Sequence, residues 1–487
     1  MLLDSSEIVV VKNYVNGEFI EPLNKEYIDT YDPSQGSVYA KLPDSDTEDI
    51  NNAVQAAHKA FETWSKTSAT ERSAYLYRIA EILEKRIPEF AKAESRDQGK
   101  TVKFAKTVDI PRSVLNFRYF AGHILHSQES ATFLEDVAVN YTQRVPIGVA
   151  GLISPWNLPL YLLTWKIAPC LAAGNTCVCK PSEFTSFTAN LLCSVFQEAG
   201  LPKGVVNMVY GTGPKAGNAL VIHPKVPLIS FTGGTVTGAK IAGGAAPLFK
   251  KLSLELGGKN ANIIFDDCNL EECVTTSIRS SFSNQGEICL CGSRIFVQET
   301  IYEKFLEKFV CKAKELTVGN PTEENTDVGA LISKEHLAKV SGYVDLAKQE
   351  GGTILCGGDK PSLSSQHENG YFYLPTIITG VSPDSRVMQE EIFGPVVTVF
   401  PFKTEEEAIE LANNSQYGLS ASVWSENGRR GRRIASQLNV GTVWLNCWLV
   451  RDLRMPFGGM KASGVGREGA DHSMDFFTEL KTICMAN

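Results

Sequence analysis

The residues that could do chemistry begin with a cysteine. The run Asn284-Gln285-Gly286-Glu287-Ile288-Cys289 reads as a helix that stops at a glycine and hands over to a thiol. A cysteine on such a turn can face a cleft, and as a thiolate it is a strong nucleophile. The competing reading is a small buried hydrophobe, the commonest fate of a free cysteine. Spacing alone leaves both open. A second run, Leu252-Ser253-Leu254-Glu255-Leu256-Gly257-Gly258-Lys259, sets one acid inside an apolar strand that ends in a Gly-Gly turn. A buried carboxylate is costly, so its pKa should rise, which suits a general base near neutral pH. A surface-facing glutamate in an alternating strand would give the same letters.

Turns after strands supply a third kind of chemistry. Residues 205–210 lead into Gly211-Thr212-Gly213-Pro214-Lys215-Ala216-Gly217, one residue too long for G-x-G-x-x-G and weak alone. Leu228–Thr232 runs into Gly233-Gly234-Thr235, where a helix start offers backbone amides and a dipole to a pyrophosphate. Another strand ends in Lys180-Pro181-Ser182-Glu183. There Glu183 can accept from ribose hydroxyls and would repel a 2′-phosphate, which favours NAD over NADP. No metal is expected: the pairs Cys177/Cys179 and Cys289/Cys291 and the lone His123-x-x-His126 do not make a zinc pattern.

Strands alternating with helices must position these groups. Strands are read at 147–154, 175–180, 205–210, 228–232 and 252–256, with helices at 158–173 and 186–199. Past Gly257-Gly258 the pattern restarts, with strands at 262–265, 294–297, 373–381 and 396–402 and helices at 270–286, 302–318 and 405–413. This is an α/β chain with mostly parallel sheets and a second α/β unit from about Lys259. The opening seventy residues read as short strands and turns with an Asn16-Gly17 hairpin, and helical patterns follow at 69–93 and 110–125. The alternating tail from Phe477 to Ile483 has no obvious partner nearby, so it pairs with another segment or another subunit.

Bulk properties exclude several classes. The 487 residues carry 47 basic and 55 acidic side chains, a net charge of −8, which argues against a nucleic-acid binder. Between 145 and 179 the only charge is Lys166, yet Pro146, Pro155 and Pro159 break any helix long enough to cross a membrane. Met1-Leu2-Leu3-Asp4 shows no secretory pattern, and the twelve cysteines read as reduced thiols. The expected location is cytoplasmic.

Seven short strings occur in order: Ser154-Pro155-Trp156-Asn157, Lys180-Pro181-Ser182-Glu183, Phe231-Thr232-Gly233, Leu254-Glu255-Leu256-Gly257-Gly258-Lys259, Gln285-Gly286-Glu287-Ile288-Cys289, Glu391-Ile392-Phe393-Gly394-Pro395 and Pro456-Phe457-Gly458-Gly459. Together they make the chain resemble an NAD(P)-dependent aldehyde dehydrogenase over essentially its whole length. The resemblance implies a Rossmann-like cofactor domain at 1–127 and 146–258, a catalytic domain at 259–467, and an oligomerisation arm at 128–145 and 468–487. A homotetramer or homodimer follows. It also implies that Cys289 adds to the aldehyde, that Asn157 and the Cys289 N–H hold the oxyanion, and that Glu255 activates water to hydrolyse a thioester. For NAD it implies Ile153, Ser154, Pro155 and Trp156 along the cofactor, and Lys180, Ser182 and Glu183 at the adenosine ribose. Gly213, Gly217, Phe231, Thr232, Gly233 and Gly234 lie near the adenine and pyrophosphate, and Leu256, Glu391 and Phe393 at the nicotinamide end. Gly234 departs from the family, where a serine is frequent.

The same resemblance places a tunnel wall at Tyr161, Leu162, Trp165, Leu290, Trp448, Leu449 and Phe457. Into that apolar wall it sets Arg112 and Arg451, at positions that are apolar in many aliphatic-aldehyde enzymes. Arg112 shares a helix face with Asn116 and Tyr119. Either arginine could instead be solvated, or paired with Asp109 or Asp452. Two guanidiniums facing an apolar tunnel are expensive unless an anion meets them, and their planar forks suit carboxylate. With the run Asn446–Leu453 the pair is similar to the muconic-semialdehyde branch of the family, which serves tryptophan degradation. The implied substrate is 2-aminomuconate 6-semialdehyde, with hydroxymuconic semialdehyde as an analogue; large apolar aldehydes such as retinal are the alternative, and an inactive structural relative is a remote one.

Overall fold

The computed structural model describes residues 8–364 and 366–487. The absence of a secretory pattern at Met1–Asp4 therefore concerns residues outside the described ones. Five parallel strands make the centre of an eight-stranded sheet, in the order Lys251–Glu255, Leu228–Thr232, Val149–Ile153, Thr176–Lys180 and Val206–Met208. Val149–Ile153 and Thr176–Lys180 are buried at every residue because helices cover both faces. The chain lays down Val149–Ile153, moves outward on one side, then returns to the other side with Leu228–Thr232. That reversal opens a crevice beyond the carboxyl ends of the strands, where such sheets bind ligands.

Antiparallel strands Asn13–Val15 and Glu18–Ile20 extend one edge. Asn16 and Gly17, at φ 52° and 80°, make the two-residue turn that joins them. The other edge is closed by Gly464–Val465, paired antiparallel to Leu254–Glu255. That short strand falls in the stretch assigned by sequence to the second unit, yet its ladder belongs to the first. A seven-stranded sheet follows, ordered Thr353–Cys356, Thr376–Thr379, Val396–Phe402, Arg294–Gln298, Ala261–Ile264, Ser420–Trp424 and Thr442–Leu445, antiparallel only at its first pair. Glu255 thus ends a strand of the first sheet, and six residues later Ala261 starts an interior strand of the second. The unpartnered tail finds its partner in the same chain: Thr478–Ala486 pairs with Ala138–Pro146, which pairs with Ala131–Leu134.

Several elements differ from the sequence reading. Thr47–Trp64 is a helix within the stretch read as strands and turns, started by an Asp46 capping box and buried through Ile50, Ala53, Val54 and Ala57. The pattern at 69–93 is two helices, Ala69–Lys85 and Ile87–Gln98, because Pro88 opens a new first turn. The helix at 270–286 stops at Phe282; Asn284 and Gln285 then take left-handed backbone. Tertiary hydrogen bonds hold that turn: the Asn284 amide donates to the Asn157 carbonyl (3.1 Å) and Gln285 to the Ala330 carbonyl (3.1 Å). Helix Lys334–Gln349 and strands Ser420–Trp424 and Thr442–Leu445 have no counterpart in the sequence pattern.

Two helices matter most for the site. Ile110–His123 buries Phe117 and Phe120 completely, and Pro159–Ala172 is buried along most of its length. Each buried phenylalanine contributes roughly 1.5–3 kcal/mol of apolar burial. Their packing fixes which way Arg112 and Asn116 face relative to Tyr161, Thr164 and Trp165.

Candidate active site

Cys289 follows the left-handed turn, at the amino-terminal edge of the second sheet. The turn requires Gly286, whose φ is +74° and whose added Cβ would stand 2.2 Å from the Gly394 carbonyl oxygen. Asn260 pins the loop from below, its amide donating to the carbonyls of Cys289 (2.7 Å) and Cys291 (2.9 Å). Burial, then the nearby Glu255, pushes the Cys289 thiol up to about 12. At rest it is a thiol, and it needs a base to become a nucleophile.

Glu255 lines the same cavity as Cys289 and is the candidate base. It is 4% exposed, and neither carboxylate oxygen has a hydrogen-bond partner. Burial first, and then the charge of Glu468, raise it well above the usual carboxylate range. Gly458 leaves it room: an added Cβ there would lie 2.8 Å from Glu255 Oε1. Glu468 itself accepts from the Trp165 indole N–H (2.5 Å) and from Lys166 Nζ (3.3 Å), so its position is set by the tunnel helix.

Asn157 sits where the first sheet meets the turn before Cys289. Its side-chain amide donates once, to the Glu287 carbonyl (2.9 Å), leaving one N–H. Its backbone carbonyl accepts from Lys100 Nζ (2.9 Å), and Lys100 is paired with Asp109 in a fully buried ion pair. Glu287, also fully buried, accepts from the Gln98 amide (2.6 Å) and the Ile332 N–H (3.1 Å), and burial raises its pKa well above the usual range. This network ties Asn157 to the turn that carries Cys289.

Cys289, Glu255 and Leu256 open into a cavity of about 330 Å³. Tyr161, Leu162, Trp165, Leu290, Leu449 and Phe457 line it, and so do Arg112 and Arg451. Neither arginine takes part in an ion pair among the described residues. Asp109 is paired with Lys100 and Asp452 with Arg454, which removes both partners considered from sequence. Arg112 stacks over Tyr161 and Trp165, its guanidinium carbon 5.2 and 5.5 Å from the ring centroids. Its Nη2 is buried with no hydrogen-bond partner. Arg451 stacks 3.6 Å over the Phe457 ring and donates to the Tyr161 hydroxyl at 3.4 Å. Trp448 is a correction: it is absent from the cavity wall, and its indole N–H donates to the Leu290 carbonyl (2.9 Å), bracing the wall from behind.

The crevice of the first sheet holds a second cavity of about 590 Å³. Ile153, Ser154, Pro155 and Trp156 line one side. Lys180, Ser182 and Glu183 line another, and Gly213, Gly217 and the Phe231–Gly234 turn complete it. Thr232 borders both cavities, so they meet beside the reacting groups. A dinucleotide fits: the hydroxyls of Ser154 and Thr232 are buried without partners, and a Cβ added at Gly213 or Gly234 would meet nothing within 4 Å. Lys180 Nζ lies 3.0 Å from Glu183 Oε2. Burial works to raise Glu183, but Lys180 and backbone donors win, and its carboxyl ends below the usual range. Leu256 lines the cavity beside Cys289, and Glu391 and Phe393 line a gap next to it, with the Glu391 carboxylate accepting from the Gly258 N–H (3.0 Å). The Phe393 ring packs 5.3 Å from that of Trp156.

Sequence reasoning missed Asn260, Glu287 and Glu468, and in the cofactor crevice Phe184, Val221, Lys240 and Ile241. The last two had a signal, a helix starting at Thr235 with one face toward the sheet; the others act through tertiary contacts that spacing does not encode.

Residues 19–483 match the aldehyde dehydrogenase family. The 2-aminomuconic semialdehyde dehydrogenase of Danio rerio is 57% identical over 478 residues, covering 98% of each chain. The Homo sapiens enzyme of the same name is 56% identical over 482 residues, covering 98% of this chain and 99% of that one. Among solved structures, the NAD+ complex of an aldehyde dehydrogenase from Bacillus cereus aligns with a TM-score of 0.95 at 40% identity, covering 98% of this chain and 96% of that one.

Proposed function

We propose, from the premise that this chain belongs to the aldehyde dehydrogenase family, that it oxidises a carboxylate-bearing semialdehyde to the acid with NAD as acceptor. The substrate that fits best is 2-aminomuconate 6-semialdehyde, yielding 2-aminomuconate. One observation carries the reading. Two guanidiniums without ion-pair partners face one apolar cavity that ends at Cys289, and a buried Nη2 of Arg112 lacks any acceptor. A carboxylate at the far end of the substrate meets that unpaired positive charge. A retinal-like aldehyde would leave it unmet, and so is not favoured. The relatives' names agree with the charged substrate.

The chemistry follows from the geometry. Glu255 takes the Cys289 proton, which passes to solvent before the hydrolytic step, and the sulfur adds to the aldehyde carbon. The oxygen becomes an oxyanion, met by the remaining Asn157 N–H and the Cys289 backbone N–H; one such donor is worth roughly 10²–10³ in rate. NAD held by Ser154, Trp156, Lys180 and Glu183 would supply the acceptor for the hydride that this carbon then loses. Cys289 is left as a thioester. Glu255 removes a proton from water, the water oxygen adds to the acyl carbon, and the thiolate departs as the acid forms. The arginines hold the carboxylate so that the aldehyde stays over Cys289.

NAD should exceed NADP by at least roughly tenfold in kcat/KM, because Glu183, paired with Lys180, repels a 2′-phosphate. Initial rates with both cofactors check this, and equal efficiency would mean that Lys180 dominates the pocket. The substrate reading is tested by NADH formation from 2-hydroxymuconate semialdehyde, hexanal and retinal; a preference for either neutral aldehyde would refute it. A homodimer or homotetramer and a cytoplasmic setting belong to the same proposal. In support of the first, the three-stranded arm exposes Phe133, Leu134, Val137 and Leu480. No helix of the described residues is long and apolar enough to cross a membrane.

A further inference from the structure

The two arginines need more than an apolar wall, since a flexible guanidinium loses much of its advantage if its fork must be ordered at each binding event. Arg112 is ordered by one neighbour. Asn116 lies one turn further along the same helix, 0% exposed, with its side chain fully committed. Its Nδ2 donates to the Tyr161 carbonyl (3.1 Å) and to Thr164 Oγ1 (3.0 Å), both on the facing helix Pro159–Ala172. Because the amide nitrogen must meet those acceptors, the Oδ1 must point the other way, where it accepts from Arg112 Nε (3.3 Å). The flat face of the guanidinium then rests on Tyr161 and Trp165, and Nη2 is left without a partner.

We propose that Asn116 is a positioning residue that sets substrate specificity: its neutral amide aims the Arg112 fork into the cavity without cancelling its charge. The inference rests on the reading that a carboxylate meets Arg112. The chemical type of the residue is decisive. An aspartate has the same shape, but beside Arg112 it would form a buried, charge-assisted pair and compete with the substrate carboxylate for the same donors. An aliphatic residue would leave Nε without an acceptor and the fork free to turn. Only a neutral acceptor whose own donors are used elsewhere gives direction while leaving the positive charge available.

The test is a double-mutant cycle read as a ratio, kcat/KM for 2-hydroxymuconate semialdehyde over kcat/KM for hexanal, with Arg112→Ala, Asn116→Asp and the double variant. Asn116→Asp should lower the ratio by about tenfold, mainly through KM for the semialdehyde, the size of one lost charge-assisted hydrogen bond. In the Arg112→Ala background the same change should alter the ratio by less than about twofold, because nothing remains for Asn116 to aim. Losses that multiply, or an Asn116→Asp ratio like that of the unmodified enzyme, would overturn the proposal; a purely structural role would depress both substrates together. If Asn116→Asp does not fold, Asn116→Ser, neutral but too short to reach Nε, should still lower the ratio by about threefold, the size of a neutral hydrogen bond. No change with the serine would overturn the proposal. Should Arg112→Ala itself leave the ratio untouched, the carboxylate reading fails, and this inference falls with it.

Discussion

Cys289→Ser should abolish NADH formation, by more than about 10³-fold, the scale on which enzymes lose rate when a covalent nucleophile is removed. A serine hydroxyl is far less acidic than a thiol. The surroundings that already push the thiol up to about 12 would hold the hydroxyl still more firmly protonated. The fold has no reason to change, since the turn is held by Gly286, Asn284, Gln285 and the Asn260 amide, whose bonds go to backbone carbonyls. Cofactor binding should therefore persist, because its crevice lies on the other sheet. Isothermal titration with NAD alongside the rate assay separates the two. A variant that keeps more than a few per cent of the rate would refute covalent catalysis.

Glu255→Ala has the second-largest expected effect, about 10²–10⁴ in the steady-state rate, the range for a general base. Its signature differs from that of the cysteine variant. With the base gone, any thioester that forms is not hydrolysed, and Cys289 accumulates the acyl group; mass spectrometry of the intact protein after one turnover should show it. Unmodified protein with a normal rate would remove Glu255 from the mechanism. The pH dependence has a definite sign. Only the ionised carboxylate can accept a proton, and burial raises its pKa, so the rate should fall as pH drops through that raised value and level off above it. Stability runs the other way. An acid whose folded pKa lies above its unfolded value of about 4.3 weakens the fold as pH rises between the two. Glu255→Gln should accordingly unfold at a higher temperature than the unmodified enzyme at pH 8, with the gap closing in acid.

How much of this was legible in the sequence varies by residue. The central strands were readable because burial on both faces leaves continuous apolar runs such as Val149–Ile153. The hairpin was readable because Asn16-Gly17 carries its own backbone preference. The end of the helix before Cys289 was not. Asn284 and Gln285 adopt left-handed backbone against their own tendencies, held by partners more than forty residues away in the chain. Helix Thr47–Trp64 had its cap and its spacing in plain view, and was hidden only by the turn-rich stretch around it. At the site, Arg112 and Arg451 were visible as charges in an apolar context, but their freedom from ion pairs was not. Asp109 and Asp452 lay close enough in sequence to serve as partners, and only the fold shows them committed to Lys100 and Arg454. Trp448 failed for the converse reason: it neighbours lining residues in sequence, yet its indole turns to the Leu290 carbonyl.

The central claim is that Arg112 and Arg451 recognise a substrate carboxylate, and the most direct measurement compares two substrates on the same variants. Arg451→Ala and Arg112→Ala should each lower kcat/KM for 2-hydroxymuconate semialdehyde by about 10- to 150-fold, the equivalent of roughly 1.5–3 kcal/mol for a hydrogen bond to a charged group. Hexanal turnover by the same proteins should fall far less, or rise, because an unpaired charge leaves an apolar tunnel. Part of the loss should appear in kcat, since the carboxylate anchor also places the aldehyde over Cys289. A parallel loss on both substrates would contradict the account, and would mean that the arginines hold the tunnel's structure and not its substrate.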